Sequence, residues 1–460
     1  MAAGRHLTVS MQLRYWCVAI LMTVTPDIRG RRAGSGRRYA NRLMRLVALA
    51  MIFLLLAPRP TAAYAVLTHE AIVDSAWDDA IKPTILKRFP DATREQLKEA
   101  HAYAYGGCAI QDIGYYPFGS KLFSDLVHYV RSGDFVVALL RDSKDIDEYA
   151  FALGVLAHYW ADNFGHRVAV NRSVPILYPK LGKKYGDVVT YDQDPGAHLK
   201  TEFGFDVLQV AKGHYAPDAY HDHIGFQVSE DLLARAFKET YSLDLQSLFG
   251  NYDLAVETYR HGISSVIPTM TRVAWQDKKD EIEREYPGTT KKQFVYHLSR
   301  AGYRQQWSKD YRKPGFGEWL LALILKIIPK VGPFRALSMK IPTPETEKMF
   351  MASFNDTLHD YETSLESERE AGKVELRNDN FDTGTVTAPG EYPLADRTYG
   401  RLLDRLADNH FKNVSPEIRQ ALLDYYADAG ANDTVMRKDK KEWSKEMAEL
   451  KELKAVTPGS

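Results

Sequence analysis

Asp145-Ile-Asp-Glu-Tyr-Ala-Phe-Ala-Leu-Gly-Val-Leu-Ala-His158-Tyr-Trp-Ala-Asp162-Asn-Phe-Gly-His166 opens on acids suited to a helix N-terminus and continues on a strongly apolar face. Residues four apart on a helix differ by about 40° in azimuth and about 6 Å in height, so His158, Asp162 and His166 form one inward-facing ladder. Three ionisable groups in line with an apolar face are expensive to bury unless something pairs with them. A metal ion is the partner this pattern points to, and His and carboxylate ligands at i, i+4 spacing suit zinc. The ends of the ladder lie roughly 12 Å apart, about three times the separation of metals that share a bridging oxygen. One ion therefore cannot use both histidines, and at least two are implied, with Asp162 between them.

A second phrase, His198-Leu-Lys-Thr-Glu202, repeats the spacing. Core histidines in an ordinary helix would account for any one of these residues, but not for the two phrases together. An open catalytic zinc takes three protein ligands and a water, and His166, His198 and Glu202 supply two imidazoles and a carboxylate of the right kind. His158 and Asp162 are left for a neighbouring ion. Its candidates for completion are His128 and Asp112, the latter in the glycine-flanked loop Gly106-Gly-Cys-Ala-Ile-Gln-Asp112-Ile-Gly, where loop placement favours function. His69 follows five residues after Tyr64, which becomes the first residue if a leader is cleaved after Ala63. A free α-amine also binds metal.

The leader itself is legible. Met44-Arg45 starts an apolar run of 12 residues, Leu46 to Ala57, which leads to Thr61-Ala62-Ala63. This reads as a secretory signal over 44–63, too short to anchor permanently in a membrane, and places the mature chain in the periplasm or outside the cell. Residues 1–43, rich in Arg and Gly, are read as sequence upstream of the true initiator Met44; a cytoplasmic extension, or a twin-arginine signal on Arg37-Arg38, is the competing reading. No cysteine sits at the cleavage site for lipid attachment. Only Cys108 would survive export, so no intramolecular disulfide is expected. Lys+Arg and Asp+Glu both number 60, and this balance gives no overall charge argument for nucleic acid or an acidic partner.

Helix signals dominate from Thr68 onward and strand-like alternation is sparse, so the fold class is all-α. Thr68 is expected to cap a helix running through Ile72 and Trp77, and Thr93-Arg-Glu-Gln96 is a capping box for one that stops at Gly106-Gly107. Ser124 is expected to open a short helix bearing His128 that ends near Gly133. Asp194-Pro195 begins the helix of His198 and Glu202, with Gly213 closing it. Residues 64–235 are expected to form the catalytic domain, with the aperiodic connection from Asn171 to Asp194 placed as a rim over the metals. Residues 236–378 read as a helical extension. Within it Trp319-Leu-Leu-Ala-Leu-Ile-Leu-Lys-Ile-Ile328, with basic neighbours through 335, suits a lipid interface or a buried core helix. The polar break Asp379 to Gly390 marks a loop or boundary, and 379–460 a small helical region with a charged tail. His214, His221 and His223, near Asp218 and Asp222, are read as surface or rim because Gly213 and Pro217 interrupt a helix there.

Tyr64-Ala-Val-Leu-Thr-His69, Gln111-Asp112-Ile-Gly-Tyr-Tyr, Asp125-Leu-Val-His128, His158-x-x-x-Asp162-x-x-x-His166 and His198-x-x-x-Glu202 occur in this order. As an ordered set, spanning roughly residues 64–230, they resemble the zinc-dependent phospholipase C family, whose superfamily also contains single-strand-specific zinc nucleases. The resemblance implies three zinc ions. His166, His198 and Glu202 would hold one; Asp112, His128, His158 and Asp162 a second. The third would take His69, Asp162 as bridge, and the amine and carbonyl of the mature first residue, Tyr64, where family members usually present Trp. Asp112 would also act as general base. The implied reaction is phosphodiester hydrolysis. Glu202 in place of Asp, the absent disulfides and the Trp319 segment favour a phospholipid at a membrane surface. A nuclease or other phosphodiesterase is the first alternative, with Tyr115, Tyr116, Tyr159 and Trp160 as candidate base platforms. A non-catalytic zinc-stabilised module that binds membrane or a partner is the second. No protein partner is predicted.

Overall fold

The computed structural model describes residues 65–212, 214–215, 224–286, 336–428 and 440–456. Helix α1 (Val66–Ala76) passes through a widened turn into α2 (Lys82–Arg88). Then come α3 (Arg94–Ile110), a 3-10 turn (Gln111–Tyr115), α4 (Lys121–Tyr129) and α5 (Ser132–Asp142). The ladder helix α6 (Ile146–Phe164) runs into a π-helical turn, Gly165–Val170. Two short helices, α7 (Asn171–Leu177) and α8 (Pro179–Tyr185), occupy part of the stretch that carried no period in the sequence, and lead to α9 (Pro195–Lys212). Helices α10 (Glu230–Tyr241), α11 (Tyr252–His261), α12 (Ile267–Glu285) and the long α13 (Pro344–Ala371) follow. A hairpin, β1 (Asp379–Asn380) and β2 (Thr385–Val386), precedes α14 (Pro393–Ala407), α15 (Pro416–Asp428) and α16 (Lys440–Ala455). The fold is all-α, and these described residues lie in one compact unit, Leu55–Ser460.

Local chemistry explains several starts. The Thr93 hydroxyl accepts from Gln96 N while the Gln96 side chain accepts from Thr93 N, the reciprocal box expected for α3. Asp145 accepts from the Asp147 and Glu148 amides at 3.1 and 2.9 Å, and Asp194 from Ala197 N at 2.8 Å. Other starts are set by distant groups or by neighbours the pattern did not show. Thr68 does not cap α1, which begins two residues earlier; its hydroxyl donates to Asp206 of α9 at 2.7 Å, and Leu67 N donates to the other oxygen of that carboxylate. The cap is thus supplied across the core. Ser120, not Ser124, caps α4, and Gly133 lies within α5 rather than ending the helix of His128.

Glycine has a different task from the expected stop at Gly106-Gly107. Helix α3 continues through both to Ile110 and packs closely against α6. A Cβ on Gly107 would lie 2.0 Å from the Phe151 carbonyl oxygen, and one on Gly154 2.1 Å from that of Ala104. The missing side chains let the two backbones touch. The contact places the Cys108 carbonyl within 2.9 Å of His158 Nδ1.

The later helices back the ladder from the other side. From α13, Tyr361 donates to the Leu153 carbonyl at 2.9 Å, and the Ser364 hydroxyl accepts from the Trp160 indole at 2.9 Å. The hairpin pairs Asp379 with Val386 and Asn380 with Thr385, antiparallel. It is tied down where Ser132 Oγ donates to Asp379 O (2.6 Å) and Phe381 N to His128 O (3.2 Å). The Trp319 to Ile328 segment lies outside the described residues. Among those described, no helix is long and apolar enough to cross a membrane.

Replacing Gly107 by Ala is expected to destabilise the protein by about 1–3 kcal/mol, because the new methyl meets backbone rather than a movable side chain. Denaturant unfolding with matched metal content measures it. An unchanged midpoint would show that the helices can part without loss.

Candidate metal centre

Helix α6 presents His158 and Asp162 one turn apart, and the π-helical turn at its end carries His166, a local widening typical of functional sites. His158 Nε2 and His166 Nε2 approach the same oxygen of Asp162, at 3.2 and 3.8 Å. From α4, His128 Nε2 comes within 3.2 Å of that oxygen and 3.5 Å of Asp112, which sits in the 3-10 turn after α3. From α1, His69 Nε2 faces the other Asp162 oxygen at 3.5 Å. Its ring stacks on that of His158, centroids 4.5 Å apart. Asp162 thus directs its two oxygens at different neighbours, as a bridging carboxylate does.

Backbone carbonyls orient two of these rings. His158 Nδ1 meets Cys108 O at 2.9 Å and His128 Nδ1 meets Ser124 O at 2.7 Å. A proton held on Nδ1 leaves the Nε2 lone pair directed into the cluster. The two Nε2 atoms lie 3.4 Å apart.

A second cluster adjoins the first. His198 and Glu202, one turn apart on α9, place Nε2 and Oε1 2.9 Å apart, and His198 Nε2 lies 3.0 Å from His166 Nδ1. Asp382, at the turn of the hairpin, brings Oδ1 within 2.6 Å of the same His166 Nδ1. Each of the nine residues is at most 5% exposed. Among the described residues, groups whose donor atoms lie mutually within 4.8 Å include His69, His158 and Asp162; Asp112, His128 and His158; and His166, His198 and Asp382.

The donor chemistry fits zinc. Neither carboxylate oxygen of Asp112, Asp162 or Glu202, nor Asp382 Oδ1, is aligned in a hydrogen bond, although all are buried beside imidazole nitrogens. Lone pairs directed together in this way suit a cation between them. The charges agree. Burial, then the neighbouring His158, lowers His69 to about 3; burial and His166 lower His198 to about 3. Both imidazoles are therefore neutral. Burial also opposes charge on His128 and His166, but Asp112 and Asp162 raise the first to about 9, and Asp382 and Asp162 the second to about 10. Asp162 is held well below the usual carboxylate range by His158 and His128 in spite of burial, whereas burial pushes Glu202 well up.

Seven of the eight predicted side-chain ligands fall in these groups; Glu202 adjoins them only through His198, Asp382 stands with His166 and His198 where Glu202 was expected, and Tyr64 lies outside the described residues. Asp382 was missed. Its segment, Asn380-Phe-Asp382-Thr-Gly384, had no period and read as a break; the argument that marked Asp112, an acid in a glycine-flanked loop, applied equally to it. Tyr115, Tyr116 and Tyr159 are buried, Tyr116 and Tyr159 edge-on against Tyr259 and Phe381, so these three serve packing; Trp160 is half-buried and donates to Ser364. His214 meets Gln209 away from the cluster, and Asp218, His221, Asp222 and His223 lie outside the described residues.

The model of the family described as Zinc dependent phospholipase C matches residues 68–251. That stretch includes His69 through Glu202 and leaves Asp382 outside. No curated protein and no solved structure matches the chain.

At pH 7 zinc uptake by metal-free protein is expected to release at least two protons, one each from His128 and His166, because both are raised above that pH and an imidazole must be neutral to ligate; the Glu202 carboxyl, pushed well up by burial, adds to that number. Zinc affinity should accordingly fall as pH falls. Calorimetry in buffers of different ionisation enthalpy reads the number; a heat independent of buffer contradicts it.

Proposed function

We propose, from the membership of residues 68–251 in the zinc-dependent phospholipase C family, that this chain is an exported hydrolase that cleaves the glycerol-side phosphodiester of a phospholipid. The observation that carries this reading is the convergence of seven His and Asp side chains inside the matched residues on one buried cluster, with Glu202 against its His198. The two faces of Asp162 support a site of three ions. One would lie with His166, His198 and Glu202, one with Asp112, His128, His158 and Asp162, and one with His69, Asp162 and the amine and carbonyl of Tyr64. A chain cleaved after Ala63 would begin two residues before α1, whose first turn carries His69.

Zinc, when bound, supplies Lewis-acid stabilisation of phosphoryl oxygens and of a water that attacks phosphorus in line. The protein supplies orientation and a proton path. The Cys108 and Ser124 carbonyls hold His158 and His128 in one tautomer. Asp112, buried beside His128, is the carboxylate assigned to accept a proton from the attacking water. The surrounding apolar packing excludes bulk water, so fixed charges act there at low dielectric. The lipid assignment draws on Glu202 as the last ligand and on the burial of Tyr115, Tyr116 and Tyr159, which leaves these three no open stacking face for bases.

Purified mature protein is expected to contain zinc and to hydrolyse phosphatidylcholine, with activity lost in chelator and restored by zinc. Cleavage of single-stranded DNA alone would replace the lipid reading by the nuclease one. Zinc without either activity would favour a non-catalytic, zinc-stabilised module that binds membrane or a partner. Asp162→Asn should lower turnover by at least about 10³-fold and shed more than one zinc equivalent, since the residue would serve two ions. Loss of a single equivalent contradicts the bridge.

Intact mass of the exported protein should place its first residue at Tyr64, and the uncleaved precursor should bind less zinc. A start well away from Tyr64 removes that ligand.

A further inference from the structure

Asp382 reaches the cluster from a hairpin outside the matched residues, and which imidazole nitrogen it meets is informative. A carboxylate that merely orients a ligating histidine contacts the nitrogen opposite the one that faces the metal. Here His166 Nδ1 is the nitrogen that faces His198 Nε2, at 3.0 Å, and Asp382 Oδ1 meets that same atom, at 2.6 Å. The other nitrogen, Nε2, points toward Asp162. Asp382 therefore stands on the ligand side of the ring.

The rest of the residue is held as a ligand needs to be. Oδ2 accepts from Tyr191 N at 3.1 Å, while Oδ1 faces the two histidines. The backbone carbonyl accepts from Asn171 Nδ2 at 2.7 Å, and the amide donates to Asn380 Oδ1 at 3.0 Å. Gly384, at φ +64°, turns the hairpin where a Cβ would lie 2.7 Å from the Asn163 carbonyl oxygen, so the turn is seated directly on the end of the ladder helix. Phe381 covers the rings of His128 and His158, centroids 5.2 and 6.1 Å away.

We infer that Asp382 is a fourth protein ligand of the zinc held by His166, His198 and Glu202, an assignment that rests on the zinc reading proposed above. Two imidazoles and two carboxylates complete a tetrahedral set. A phosphate oxygen could then join this ion only by raising its coordination to five or by displacing Asp382. The C-terminal half would be part of the metal site rather than an appendage to it.

The test compares zinc retention in full-length wild type, His198→Ala and Asp382→Asn by competition with a chromophoric chelator, with circular dichroism as a fold control. His198→Ala should lose one equivalent, which establishes that the ion exists. Asp382→Asn should weaken one equivalent at least about 10-fold while the others hold. If wild type binds no zinc, the proposed function itself fails. If wild type binds and His198→Ala loses an equivalent, yet Asp382→Asn retains zinc within about twofold, Asp382 is not a ligand. Zinc-edge anomalous diffraction from loaded wild type decides the matter even if the variant does not fold. An ion about 2.0–2.2 Å from Asp382 Oδ1 supports the assignment, and one beyond about 3 Å overturns it.

Discussion

The carboxylate of Asp162 has no exposed surface, and the architecture around it answers to that fact. A lone charge at such depth carries a penalty of several kcal/mol. Four imidazoles, from His69, His128, His158 and His166, surround it at 3.2 to 3.8 Å. They face it with a ring nitrogen only if their rings are correctly turned. Turning His158 requires the Cys108 carbonyl, which requires α3 and α6 in backbone contact, which requires Gly107 and Gly154. A run of small residues in the core is thus tied to one buried charge.

The matched segment contains eight of the nine side chains in the cluster but does not wall them alone. Helix α13 holds the outer face of α6 through Tyr361 and Ser364. Arg401 of α14 pairs with Asp125 at 2.9 Å, and Lys121 with the same buried carboxylate at 2.8 Å, three residues before His128. Phe381 seals the rings of His128 and His158. Residues from 344 to 401 therefore help to bury the cluster, and burial strengthens its electrostatics.

Much was legible because it is local. Capping by Thr93, Asp145 and Asp194 depends on residues within three positions of one another, and all three helices begin where their sequences indicate. The i, i+4 pairs His158 with Asp162 and His198 with Glu202 share helix faces by covalent geometry. Less was legible where a residue's task depends on what lies across from it. Gly106-Gly107 reads as a stop until Gln227 and Phe151 are seen against it. Thr68 reads as a cap until Asp206 arrives from α9.

The sequence by itself determined an all-α chain with two helical ligand pairs, together with the residue types that suit zinc, because helical spacing is repeated in the order of the residues. Only the tertiary structure decided which histidine nitrogen faces which oxygen, and that Asp382 closes on His166. A hairpin far downstream has no periodic relation to α6 or α9. Its position follows from Ser132, Asn171 and the Gly384 turn against Asn163, contacts that exist only once the helices have packed.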